Sequence, residues 1–171
     1  MNDKDYGKKI AEEMIMESLT DSFEMITDLS ITGIKSSESP DFLANIGGLD
    51  IGIELAEIRD QTDAFDYKDE AYRIVDKKNE SYSRRGLFKR QPIMLVLYSY
   101  SPPLFDIKDQ LDQLYLGYFQ GLGFHFIWLM DLSDEYFSAG DPRRPADLYC
   151  LSPREFQGFH RFGDWARKPF G

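Results

Sequence analysis

The chain has 171 residues, 42% of them hydrophobic and 29% charged, a balance that predicts one globular domain and excludes a disordered chain. A net charge of −10 excludes a protein that coats nucleic acid by bulk electrostatics. The single cysteine, Cys150, excludes an internal disulfide framework or a cysteine-rich zinc site, and two histidines, His125 and His160, are too few for a multi-histidine metal centre.

The N-terminal stretch holds Asp3, Asp5, Glu12 and Glu13, which does not fit a signal or transit peptide. No apolar run approaches the ~20 residues of a membrane span. A soluble, cytoplasmic, reduced-compartment domain is therefore expected. In chain order, Ala11, Ile15, Leu19, Phe23 and Ile26 recur at helical spacing and predict a helix over 6–27. The segment ITDLSITGIK, residues 26–35, alternates as a strand does. DFLANI, the Gly47-Gly48 pair and LDIGIELAEI predict a β-hairpin. IRDQTDAFD reads as a polar loop.

A second helix is predicted over 68–84, with Ala71, Ile74, Val75 and Tyr82 along one side. PIMLVLYSY is almost wholly apolar and reads as a strand buried on both faces. Phe105 to Gly121 reads as an amphipathic helix, and GFHFIWLMDL as another buried strand in which His125 would be a core or sheet residue. Residues 133–171 are expected to form an irregular extension packed on the domain, with one short strand at ADLYCLS. The elements run α-β-β-β-α-β-α-β, which predicts an α/β (α+β) fold with a mixed sheet flanked by helices.

Charge is distributed unevenly. Residues 1–70 carry a net −12, residues 71–90 a net +5, and residues 91–171 a net −3. The basic run reads either as a solvated helix and loop or as a phosphate-binding strip beside an acidic, cation-binding site. The carboxylates of interest are Asp41, which opens one hairpin strand, and Glu54, which lies in the other. Strand alternation turns Ile51, Ile53 and Leu55 one way and Gly52, Glu54 and Ala56 the other, so Glu54 sits among strand formers where an unpaired charge is costly. Two carboxylates converging from paired strands can hold a hard cation such as Mg²⁺.

The order of elements, with Pro40-Asp41 and then Glu54 in the next strand, resembles the PD-(D/E)xK nuclease superfamily. That resemblance covers about the first 100 residues and implies a restriction-endonuclease-like fold. It also implies metal ligation by Asp41 and Glu54, a Mg²⁺ or Mn²⁺ cofactor, and a further carboxylate from the first helix, with Glu12 the choice and Glu13 and Glu17 the alternatives. The superfamily's lysine position is Ala56, a departure. Helical phase puts Lys78, not Lys77, on the apolar side of the second helix, where it would replace that lysine or snorkel to water.

The leading expectation is thus a metal-dependent nuclease acting on DNA or RNA, with Asp41, Glu54, Lys78 and Glu12 catalytic. Lys77, Arg84, Arg85, Lys89 and Arg90 would contact nucleic acid. The alternatives are an inactive binding or regulatory module of the same fold, favoured by Ala56, and an acidic inhibitor or immunity-type protein that binds a basic protein partner.

Overall fold

The computed structural model describes residues 2–59, 66–101, 103–112, 118–133, 146–152 and 158–160. Helix α1 spans Asp3–Thr27 and opens on Asn2, whose side chain accepts from the Asp5 amide at 2.8 Å. Strands β1 (Ile31–Ser36), β2 (Phe42–Ile46) and β3 (Leu49–Glu57) follow, then α2 (Tyr67–Arg84) and β4 (Ile93–Ser99). Helix α3 (Leu104–Asp112) leads to β5 (Phe126–Asp131), β6 (Asp147–Ser152) and β7 (Gly158–His160).

The seven strands form one sheet in chain order. The β1–β2–β3 meander is antiparallel, β3–β4–β5 is parallel, and β6 and β7 return antiparallel. Each parallel step is bridged by a helix, as parallel strands require. A core of α1 with Ile51, Ile53, Leu55, Val96 and Trp128 fills one face. A second core, of α2 and α3 with Ala56, Ile58, Leu95, Leu97 and Leu129, fills the other. The result is an α+β fold, a mixed sheet flanked by helices, consistent with a restriction-endonuclease-like architecture.

The expected hairpin is present. Gly47 and Gly48 both take positive φ, 58° and 89°, the backbone that a two-residue turn between twisted strands demands. The alternation of β3 is also as expected, and the hairpin register pairs Phe42 with Ile53 and Ile46 with Leu49.

Several boundaries differ. The strand expected from residue 26 starts only at Ile31, because α1 continues to Thr27 and stops at Asp28 in a left-handed conformation (φ 59°). Of the helix expected over 105–121, the described part runs Leu104–Asp112, and a 3₁₀ turn at Phe119–Gly121 ends at the expected glycine. His125 lies just before β5 and is exposed, not a core residue. Within the expected irregular extension, the ADLYCLS strand is there as β6, and it lies inside the sheet between β5 and β7. The polar loop IRDQTDAFD falls largely outside the described residues.

Candidate functional site

Glu54 is the unusual residue of the sheet. It is 5% exposed, in a strand whose neighbours are apolar, and it faces α2. Burying a carboxylate there is costly unless it is paired and hydrogen-bonded. Helix α2 supplies both partners. Lys78 Nζ forms an ion pair with Glu54 Oε1, and the Tyr82 hydroxyl donates to Glu54 Oε2. Lys78 and Tyr82 are four residues apart, so they project from one face of the helix onto one carboxylate.

The two partners differ in exposure. The Lys78 side chain is 35% exposed and reaches both solvent and Glu54, whereas Tyr82 is 2% exposed. The Tyr82 ring packs against Phe88 and Phe124, with centroids 5.6 and 5.8 Å away. Burial, reinforced by the Glu54 charge, pushes the Tyr82 hydroxyl well above the usual phenol range, so it remains a donor.

Asp41 reaches this place from the other strand of the hairpin. The β2–β3 ladder ends at the Phe42–Ile53 pair. Beyond it, the Leu55 amide donates at 2.8 Å to Asp41 Oδ2, so a side chain replaces the strand carbonyl that is no longer there. The preceding turn is closed by the Ser37 amide on the Asp41 carbonyl, 2.8 Å. Pro40 lies directly on β3. A Cβ added at Gly52 would come within 2.5 Å of the Pro40 ring and 2.8 Å of Ile93, so only glycine admits this approach.

Burial raises the Asp41 carboxyl to about 6, and the Glu54 charge adds to the effect; the Leu55 hydrogen bond opposes it. Glu12 also raises it and Lys78 lowers it. Asp41 and Glu54 therefore feel each other as neighbouring like charges, and Lys78, paired to Glu54, offsets part of the repulsion at Asp41. Glu12 is part of this field, but its direct partner is Lys8, at 3.4 Å one turn back on α1. Among the described residues no group of three or more His, Cys, Asp or Glu side chains is placed to hold a metal ion. The candidate ligand set is thus two carboxylates, and Glu12 contributes charge from outside it.

Lys77, Arg84, Arg85, Lys89 and Arg90 are all exposed. Arg85 connects this strip to the site, since its guanidinium donates at 2.9 Å to Ser39 Oγ, in the turn that delivers Asp41. Cys150 is a buried thiol, raised by burial, whose Sγ contacts the Ser152 carbonyl at 3.2 Å. That is a core role. His160 lies in β7, paired with Leu148.

Sequence reasoning placed Tyr82 on the apolar side of α2 and assigned it nothing further. A clue was present: Tyr82 follows Lys78 by one helical turn, and a buried tyrosine hydroxyl needs a polar partner. Comparison with family models, curated proteins and solved structures returned no match.

Proposed function

We propose that the chain is a metal-dependent, nuclease-like protein of the PD-(D/E)xK type that acts on phosphodiester bonds of nucleic acid. The observation that carries this reading is the Asp41 carboxylate on the Leu55 amide, next in sequence to Glu54 with its Lys78 ion pair, beside an exposed basic strip. Two carboxylates suit Mg²⁺ or Mn²⁺, because Mg²⁺ keeps several waters and commonly takes one or two carboxylates plus substrate phosphate. Asp41 and Glu54 would hold the ion. When bound, it would activate water and offset charge on the phosphoryl group.

The chain's own residues supply the rest. Lys78 lies half in solvent and half on Glu54, where its ammonium can hold a non-bridging phosphate oxygen or orient the attacking water. Tyr82 fixes the Glu54 carboxylate in direction. Arg84, Arg85, Lys89 and Arg90 neutralise backbone phosphates and draw the strand toward the turn at Ser39. Ala56, at the superfamily's lysine position, leaves that role to Lys78.

A second reading has one observation in its favour: both oxygens of Glu54 are already occupied, by Lys78 and Tyr82. That suits an inactive module in which the pair is purely structural. One experiment separates the two. Metal-dependent thermal stabilisation and cleavage of a DNA and RNA panel are measured for wild type, Asp41→Asn, Glu54→Gln and Lys78→Ala. The nuclease reading expects cleavage lost in all three variants and stabilisation lost only in the carboxylate variants. Wild type that binds metal and cleaves nothing supports the inactive module.

A further inference from the structure

The solvent side of α1 is the other feature that the fold does not use. Among the described residues, six large hydrophobic side chains are exposed: Tyr6, Ile10, Met14, Met25, Ile34 and Tyr100. The first four lie on α1, and Ile34 lies on β1, the neighbouring edge strand. Tyr6, Ile10 and Met14 repeat every four residues, which makes a stripe along one side of the helix. Residues 2–11 are exposed throughout, so the first turns of α1 carry no buried residue. The core-facing side of α1 is packed from Ile15 onward, whereas its first turns hold Tyr6, Ile10 and Met14 out to water.

The stripe borders a groove of about 250 Å³ between α1 and the β1–β2 edge. Met16, Phe42 and Ile34 make its apolar part, and Glu13, Glu17 and Asp21 stand along it. From Ile10 to Thr27 the helix has five acidic residues and no lysine or arginine. Lys4 and Lys8 fall on other faces of the helix at 100° per residue, and Lys9, one turn before Glu13, stands at the N-terminal end of the acidic edge. From Ile10 onward the apolar contact area is bordered by a single sign of charge, which marks an interaction surface.

We propose that this face of α1, with the adjoining groove, docks a basic amphipathic helix from a partner protein. Its apolar residues would cover Tyr6, Ile10, Met14 and Ile34, and its lysines or arginines would lie along Glu13, Glu17 and Asp21. Charge selects this occupant. A second copy would bring a matching acidic stripe against this one, and an anionic membrane would repel it. The surface is independent of the nuclease reading, because it uses neither Asp41 and Glu54 nor the basic strip.

The test uses the full chain and a fluorescent amphipathic Leu/Arg peptide, followed by anisotropy. The control is a peptide of the same composition with the apolar positions scrambled. The amphipathic peptide should bind at least about tenfold more tightly than the scrambled one, a difference that charge alone does not produce. Ile10→Ser with Met14→Ser, and separately Glu17→Lys with Asp21→Lys, should each weaken binding by about tenfold or more. All four positions are exposed, so the variants should keep the wild-type melting curve, and Arg84→Ala should bind as wild type does. Equal binding of the scrambled peptide overturns the proposal, as does wild-type affinity in both double variants. So does concentration-dependent self-association, or binding to anionic vesicles, that Ile10→Ser with Met14→Ser abolishes.

Discussion

Lys78 and Tyr82 stand one turn apart on α2 and hold the two oxygens of one carboxylate, that of Glu54. The ammonium balances its charge and the hydroxyl fixes its direction. Removing either leaves a buried oxygen without its donor, and the two losses are distinguishable.

Tyr82→Phe keeps the ring that packs on Phe88 and Phe124 and removes only the donor. Leaving the Glu54 oxygen unsatisfied should cost about 1–3 kcal/mol, read by urea or thermal denaturation. Metal-induced stabilisation should weaken as well, because the carboxylate is no longer held in one orientation. A variant as stable as wild type would mean that the hydroxyl does not hold Glu54.

Lys78→Ala should abolish metal-dependent cleavage and retain metal binding, whereas Lys77→Ala should retain both. The adjacent lysine is turned about 100° away and lies exposed on α2. Activity and metal-dependent melting of both variants provide the check. Loss of activity in Lys77→Ala alone would move the role from Lys78 to Lys77.

The raised Asp41 carboxyl makes a signed prediction about pH. The native group, near 6, holds its proton more tightly than the unfolded one, whose ordinary value is 3.8. Its favourable contribution is present below pH 4 and is lost as pH rises to about 6. Glu54 and Glu12 repel the ionised form, and Lys78 offsets part of that repulsion. At pH 8, Asp41→Asn should therefore be more stable than wild type by on the order of 1–2 kcal/mol, and at pH 4 equal to it. Mg²⁺ or Mn²⁺ needs the deprotonated group, so metal-induced stabilisation of wild type should rise through about pH 6.

Nucleic-acid affinity, measured against salt, tests the basic strip. Each phosphate contact contributes a log–log slope of about 0.9 on duplex DNA and 0.7 on single strands. Arg85→Ala and Lys89→Ala should each flatten the slope by about one contact. Arg85→Ala should also disturb the Asp41 turn through the lost contact to Ser39.

The site was legible in the sequence as far as periodicity reaches. Alternation in β3 separated Glu54 from Ile53 and Leu55, and helical phase separated Lys78 from Lys77. Tyr82 was not legible as more than a core residue, because an apolar face accepts a tyrosine ring whatever its hydroxyl touches. The end of α1 at Thr27 was legible, but the start of β1 was obscured because Ile26 and Thr27 suit a strand as well as a helix. The Asp28 cap decides between them only through its backbone conformation. His125 joins the sheet through its amide on the Ile93 carbonyl, but its exposed side chain was not legible because the apolar run around it hid where β5 begins.

The Asp41–Leu55 hydrogen bond makes one main-chain amide a spectroscopic witness to the site. The Leu55 N–H donates to Asp41 Oδ2, not to a neighbouring strand, so its proton resonance senses the charge on that carboxylate directly. A pH titration followed at this one amide reads the protonation of Asp41, and a metal titration reads the loading of the site, with no substrate or cleavage required. The same resonance separates a protein that binds an ion but cannot cut from one that binds no ion at all.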